Sequence, residues 1–413
     1  MPQNNETEKF RRGFLGPRDE QGLYRENEKI DVRGAASSVP AQDAPIRVAQ
    51  VMGKMLGGGV ETVVMNYYRH IDRSKVQFDF LVDADSTLVP REEIEDMGGG
   101  IFEIPPYQHV FAYQRELRRL FERESWRIVH SHINALSAFS LRAAKKADVP
   151  VRIAHSHSTA GKGEPIKNAI KAVLRMQANR YPTHRAACTE HAAKWLFGKG
   201  VDYRLVRNSI ELGRYSFNAG EREKCRGELG LSDSTFAVGH VGRLTTQKNQ
   251  SFLVDAFAEL LKVRPDSVLF LVGDGADRKK IASRARELGI ADKVRLLGQR
   301  DDAWRLYQAF DVFALPSIYE GLGMVAVEAQ AAALPCVCST EVPADVDLTT
   351  GCSHIELAEG PGRWATALLE ASTVPSRGLS PSDAFGLKAY DIEASAVELG
   401  DWYIKLYEGA VKQ

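Results

Sequence analysis

The sequence predicts an α/β protein made of two doubly wound parallel-sheet domains that face each other across a cleft. Three observations carry that expectation. From residue 46 onward short apolar runs alternate with helical periods, the signature of βαβ crossovers. The same series starts again after Tyr215, and the net charge changes sign between the two series. At 413 residues the chain is long enough for two to three cores.

In chain order, residues 1–45 are polar, dense in charge and punctuated by Pro and Gly, which predicts a disordered N-terminal extension. The first domain, 46–211, is expected to contain strands at 46–51, 78–82, 101–104, 128–130, 151–154 and 186–188. Helices are expected over 60–70, 113–124, 135–146 and 165–179. The second domain, 212–389, repeats the scheme with strands at 236–241, 268–272, 294–297, 312–315 and 335–338. Its helices fall near 250–263, 277–288 and 324–333, and residues 390–413 read as a terminal helical segment. In open α/β sheets ligands sit beyond the carboxyl ends of the strands, so two facing sheets place a cleft between them.

Composition narrows the function. Lys and Arg number 54 against 54 Asp and Glu, so the chain lacks the basic excess of a protein that binds nucleic acid through its phosphates. Divided by segment, the balance is −1 for 1–45, +7 for 46–211 and −6 for 212–413, which indicates two domains with different partners. The five cysteines (Cys188, Cys225, Cys336, Cys338, Cys352) are scattered, with no Cys-x-x-Cys pair, so neither a zinc site nor a disulfide framework is expected. The sequence shows no apolar leader and no membrane-spanning run, and cytoplasmic residence is the expectation.

Chemistry concentrates in two stretches of the second domain. In Val241-Gly-Arg-Leu-Thr-Thr-Gln-Lys-Asn249, a strand ends, Gly242 permits a turn, and Arg243 and Lys248 stand before a helix. Two cations beside a helix N-terminus make an anion site. In Ser317-Ile-Tyr-Glu-Gly-Leu-Gly-Met-Val-Ala-Val-Glu328, Glu320 precedes a glycine turn through which backbone amides can approach a ligand, and Glu328 falls inside the next helix. Ionised carboxylates accept hydrogen bonds from sugar or ribose hydroxyls.

These residues resemble the GT-B glycosyltransferases of family GT4, in the exopolysaccharide and capsule branch. Glu320 and Glu328 match the family's Glu-x7-Glu motif; Gly242, Arg243, Leu244 and Lys248 match its Gly-Arg-Leu...Lys element. Leu271-Val-Gly-Asp-Gly275, 294–298 and Gly57-Gly-Gly-Val-Glu61 agree in order, and the likeness spans roughly 46–411. The resemblance implies two Rossmann-like domains and a nucleotide-diphosphate sugar donor, UDP-sugar favoured, with no cofactor and no metal. Arg243 and Lys248 would clamp the diphosphate, Glu328 the ribose, and Glu320 the donor sugar. Gly321, Leu322, Gly323, Met324 and Val325 would line sugar and phosphate, and the base would lie against Gln299 and Arg300. In the first domain Gly58 and Gly59 would approach the phosphates, and His132 would be the active-site histidine. His130 is expected to face structure, and His155 and His157 to lie near the acceptor. Retention of anomeric configuration by front-face displacement is implied, without a protein nucleophile.

The expected acceptor is a saccharide or a lipid-diphosphate-linked sugar. Residues 140–207 carry 14 basic and 4 acidic groups. Lys167, Lys171 and Arg175 recur along one edge of a predicted helix whose apolar face holds Ile166, Ile170, Val173 and Leu174, a pattern that suits an anionic membrane surface at the inner face of the cell membrane. Competing readings are an inactive sugar-nucleotide-binding protein and a two-carboxylate glycoside hydrolase. The Asp83-Ala-Asp85 triplet superficially resembles a metal-binding Asp-x-Asp. Gly273-Asp-Gly275 lacks the third glycine of a dinucleotide fingerprint.

Overall fold

A computed structural model of the chain describes residues 44–157, 174–372 and 381–412. The expected N-terminal extension, and the 165–179 helix apart from its end, lie outside the described residues.

Among the described residues the first sheet has seven strands: β1 (Ile46–Gly53), β2 (Val76–Asp83), β3 (Gly100–Ile104), β4 (Ile128–Ser131), β5 (Val151–Ser156), β6 (His184–Ala187) and β7 (Arg204–Leu205). Their order is β3-β2-β1-β4-β5-β6-β7, with every pairing parallel. A second sheet joins β8 (Phe236–Val241), β9 (Ser267–Val272), β10 (Val294–Gly298), β11 (Val312–Leu315), β12 (Cys336–Ser339) and β13 (Cys352–Ile355) in the order β10-β9-β8-β11-β12-β13, again parallel. The strand order therefore reverses between β1 and β4 in one sheet and between β8 and β11 in the other. Those switch points open the crevice that ligands of such folds occupy.

Helices sheathe both faces of each sheet, and the strands accordingly run apolar without alternation. All eight residues of β2, Val-Gln-Phe-Asp-Phe-Leu-Val-Asp, are buried. Of its three polar residues, Gln77, Asp79 and Asp83, the central Asp79 is satisfied by Arg47, by Trp126 Nε1 at 2.8 Å and by the Gly100 amide at 2.9 Å. Val48, Phe78 and Ile153 pack on one face of the first sheet, and Val51, Leu81 and Leu117 on the other. In the second sheet, Phe270 and Phe313 oppose Leu269 and Leu271 in the same way.

The terminal helix, Ile392–Val411, belongs to the first sheet's core although it follows the second sheet in sequence. Ile392, Ala396, Leu399, Gly400, Tyr403 and Ala410 are its buried residues, and it packs against the Gly59–His70 helix, β2 and β5. Its entry is fixed where Ile210 and Asp391 pair: the Ile210 amide donates to Tyr390 O (2.9 Å) and the Ile392 amide to Ile210 O (3.0 Å). The two chain crossings between the sheets thus run side by side.

Several element ends differ from expectation for local reasons. β5 continues to Ser156, which carries His155 into the sheet and leaves His157 at its exit. The helix expected over 324–333 ends at Ala331, because Ala333 takes a left-handed conformation at φ 52°. Short charged helices such as Ala219–Glu228, with only Cys225 and Arg226 buried, lack the apolar period that would have announced them.

Candidate active site

The loops after β8 and β9 approach each other backbone to backbone, and that contact shapes the site. A Cβ on Gly273 (φ +127°) would stand 2.2 Å from Gly242 O, and one on Gly275 2.3 Å from Leu244 O. The Leu244 amide donates to Asp274 O at 3.0 Å, and the Asp277 amide to Leu244 O at 3.0 Å. Gln250 Nε2 donates to Arg243 O (2.8 Å), pinning the backbone from which the Arg243 side chain rises. That guanidinium makes no ion pair or hydrogen bond among the described residues.

Lys248 and Glu320 meet at the switch point. Glu320 Oε1 accepts from Lys248 Nζ and from Ser317 Oγ, both at 2.6 Å, while the Ile318 amide donates to Gln247 O (2.8 Å) and Gln247 Nε2 to Tyr319 O (3.0 Å). The loops after β8 and β11 are thereby locked together. Gly323 follows with φ +91°, a conformation glycine takes without strain, and starts the Met324–Ala331 helix.

A cleft of about 690 Å³ opens at this junction. Its walls are Gly59, Val60, His157 and Asn208 from the first domain, and from the second Arg243, Thr245, Thr246, Gln247, Lys248, Ala276, Asp277 and every residue from Tyr319 to Val325. The fold therefore brings Gly59, Arg243, Lys248, Glu320, Gly321, Leu322, Gly323, Met324 and Val325 of the expected site into one cavity. Sequence reasoning had missed Asn208, Thr245, Thr246 and Asp277; Asn208 lies in an unpatterned connection that carries no local signal.

Five expected residues stand off the cleft wall. Gly58 caps the Gly59–His70 helix, and its amide is taken by Glu61 Oε2 at 2.5 Å. Glu328 is partly buried and accepts from Tyr307 Oη at 2.7 Å. Burial pushes its carboxyl up to about 7, against the Tyr307 hydrogen bond and the Lys248 charge, which both favour the carboxylate. Gln299 and Arg300 are exposed, and Arg300 pairs with Asp302 at 2.6 Å.

The fifth, His132, is buried with both ring nitrogens engaged: Nδ1 lies 2.9 Å from His157 Nε2, and Nε2 lies 2.8 Å from Gln50 Oε1. Gln50 Nε2 in turn donates to Tyr403 Oη (3.3 Å), whose hydroxyl lies 2.6 Å from His130 Nδ1; His130 Nε2 lies 3.1 Å from His155 Nδ1. Burial is the largest influence on all four histidines and holds each well below the ordinary imidazole range, to about 3 for His157. Only His157 of the four reaches the cleft.

Two groups among the described residues have metal-ligating side chains close enough to share an ion: His130, His132 and His155, and Asp347, Cys352 and His354. In the first, His130 and His132 already use both ring nitrogens in hydrogen bonds. Asp83 and Asp85 do not form a third, since Asp85 is paired with Lys54 (2.6 Å) and burial raises Asp83 to about 6. No described helix is long and apolar enough to cross a membrane.

Two facing parallel sheets, with cations and a carboxylate at the switch point of one, define a GT-B glycosyltransferase. Residues 58–208 match the family described as "Glycosyl transferase 4-like domain", and 221–346 match "Glycosyl transferases group 1". The chain belongs to this family of group 1 glycosyltransferases. It is 35% identical to the "Putative glycosyltransferase EpsF" of Bacillus subtilis over 336 residues, 79% of this chain and 88% of that one. A 26% identity over 314 residues, 71% of this chain and 79% of the other, links it to the Escherichia coli "UDP-Gal:alpha-D-GlcNAc-diphosphoundecaprenol alpha-1,3-galactosyltransferase". The Anabaena Alr3699/HepE structure in complex with UDP superposes with a TM-score of 0.72 at 19% identity, over 87% of this chain and 100% of that one.

Proposed function

We propose that this glycosyltransferase moves a sugar from a UDP-sugar to a saccharide or lipid-diphosphate-linked acceptor, with retention and without a metal or other cofactor, in exopolysaccharide or capsule assembly. The observation that carries the reading is the Lys248–Glu320 pair beside Arg243, whose guanidinium is unpaired among the described residues. In such a cleft the two cations offset the charge that grows on the departing diphosphate, which is where electrostatic stabilisation accelerates transfer most. Glu320, held by Lys248 and Ser317, is positioned to accept from a hydroxyl of the donor sugar. Glu328 supports the ribose from behind the glycine turn, and the rim near Gly298, Gln299 and Arg300 takes the base.

The departing phosphate oxygen serves as the base for the acceptor hydroxyl in a front-face displacement, so no protein nucleophile is assigned. The HepE complexes with UDP, and with UDP and glucose, support the donor class. The α-linked product and diphosphoundecaprenol acceptor in the E. coli relative's name support retention and a lipid-linked acceptor. An acceptor of that kind would place the enzyme on the inner face of the cell membrane. The Lys167 and Lys171 edge proposed to meet that surface lies outside the described residues.

The test is transfer from UDP-sugars to lipid-diphosphate-linked saccharides, with and without EDTA. Undiminished turnover in EDTA is expected, with release of UDP and an α-configured product; strict dependence on manganese would overturn the metal-free reading.

A further inference from the structure

The outer edge of the second sheet gathers metal-binding side chains that take no part in the cleft wall. β13 is the edge strand, and Cys352 and His354 stand two apart along it, so both side chains leave the same face. In register, Cys352 lies opposite Cys336 and His354 opposite Cys338 of β12. Asp347 arrives from the turn that follows Ala344–Val346. One ligating atom from each of Asp347, Cys352 and His354 lies within 4.8 Å of the others, and the Cys338 thiol hydrogen-bonds that of Cys352. With bonds of about 2.0–2.3 Å, two ligands of a tetrahedral zinc ion stand roughly 3.3–3.8 Å apart, so these groups need to draw in by no more than about 1.5 Å.

The backbone that carries them is already fixed. Gln330, buried in the Met324–Ala331 helix, donates through Nε2 to Val346 O (2.7 Å) and accepts at Oε1 from the Leu348 (3.1 Å) and Thr349 (3.0 Å) amides, which holds Asp347 from both sides. His354 Nδ1 lies 3.1 Å from Ser339 O, and a carbonyl only accepts, so Nδ1 carries hydrogen and Nε2 is the nitrogen turned to Asp347, 2.6 Å from its Oδ1. A ligating histidine characteristically donates its other ring N–H to such a carbonyl, which fixes the ring and its tautomer. An ion can also reach the place. The Asp347 and His354 side chains are 39% and 20% exposed, while Cys338 closes the site from the buried side. Two sulfurs, an imidazole nitrogen and a carboxylate oxygen suit zinc; magnesium and calcium take oxygen ligands.

We infer that Asp347, Cys352 and His354, with Cys338 as the fourth ligand, bind a zinc ion that takes the place of the hydrogen between His354 Nε2 and Asp347 Oδ1. The thiols give up their protons to solvent as the ion enters. Residue spacing misses this set because it joins a turn to two strands and contains no Cys-x-x-Cys pair. The ion clamps the edge strand and the Asp347 turn to β12. It stands behind the loop that carries Glu320: Ser339, whose carbonyl orients His354, donates through Oγ to Ser317 O (2.6 Å), and Ser317 Oγ donates to Glu320 Oε1 (2.6 Å). None of the four ligands lines the cleft, so zinc binding here and metal-free transfer coexist, and the inference is independent of the nucleotide-sugar reading.

The test uses the full chain, reduced and stripped of metal, with zinc and cobalt(II) as probes. Calorimetry is expected to find one tightly held zinc ion per chain. Cobalt(II) should give thiolate-to-metal charge-transfer and tetrahedral d–d absorption that added zinc abolishes. Cys352→Ser and His354→Phe should each weaken zinc binding by more than about 100-fold and Asp347→Asn by about 10–100-fold. Cys188→Ser, which alters a buried thiol of the first domain, should leave it unchanged. Zinc should raise the melting temperature of wild type and not that of Cys352→Ser.

Zinc binding that is absent, or that persists unchanged in Cys352→Ser, overturns the inference. So does a cobalt spectrum without thiolate bands, which puts the ion on other ligands such as His130, His132 and His155. Should Cys352→Ser or His354→Phe fail to fold, Asp347→Asn, altered at an exposed carboxylate, carries the same comparison.

Discussion

The two sheets meet the cleft with opposite chemistry. The second sheet ends at its switch point in charge: Arg243, and Lys248 against Glu320. The first ends in uncharged groups: an imidazole that burial keeps neutral, an amide and a helix N-terminus at Gly59 and Val60. Similar architecture at both walls thus carries different content. The charge asymmetry of the whole domains runs the other way, +7 for 46–211 and −6 for 212–413. Local placement of Arg243 and Lys248 outweighs the domain total, since a cation a few ångströms from an anion in a partly closed cleft acts far more strongly than screened surface charge.

Lys248→Ala is the strongest way to break the comparison. Transfer is expected to fall by about 10²–10³ through lost stabilisation of the leaving diphosphate, in steady-state assays of UDP release, while circular dichroism shows the fold retained. An undiminished rate would remove the charged wall from the chemistry. Next in size is Gly273→Ala, which forces a Cβ against Gly242 O. A cost of about 2–4 kcal/mol in thermal or urea unfolding is expected, with activity lost because Arg243 moves with its loop.

Acid and base should distinguish the two domains. His157 is lowered in the fold, so its contribution is complete above the unfolded value near 6.5 and is lost as pH falls from there toward about 3. Melting temperature should drop across that window, and His157→Gln should flatten the drop. Glu328 is raised, so its contribution is present below the ordinary value near 4.5 and lost as pH rises through about 7. Glu328→Gln, which still accepts from Tyr307, should be the more stable protein at pH 8 by about 1–3 kcal/mol. Equal pH profiles for variant and wild type would show that the buried carboxyl is unperturbed.

The smallest effect is expected at Gly59→Ala, where an added Cβ meets nothing within 4 Å. Stability should change by less than about 0.5 kcal/mol, so any loss of activity there reports on cleft contact alone. Gly59 and Gly273, two glycines of recognisable motifs, then separate as ligand approach and chain approach.

Much of this was legible from residue order. The strand runs and their repetition follow from apolar periodicity, and Arg243, Lys248 and Glu320 stand in turns after strands, where side chains reach a ligand. His132 stands behind the cleft wall for an instructive reason. It ends a strand beside the site, but the extension of β5 by two residues places His157 between it and the cleft. Gln50 in β1 carries no signal in the sequence, because its partner Tyr403 lies 353 positions away. Glu328 stands off the cleft wall with one oxygen accepting from Tyr307, a partner that helix phase decides and motif spacing does not show.

By itself, then, the sequence determined the two-sheet architecture, the switch-point loops and the cations of the charged wall, since each depends on local periodicity or on motif spacing within a few residues. Tertiary structure alone decided the neutral wall: which histidine faces the cleft, and that Asn208 stands beside it. Those outcomes depend on hydrogen bonds among β1, β4, β5 and the terminal helix, whose separations in sequence leave no pattern to read. A helix that begins beyond the second sheet orders the first sheet's polar core because its apolar face is buried there, and that burial is a property of the folded chain.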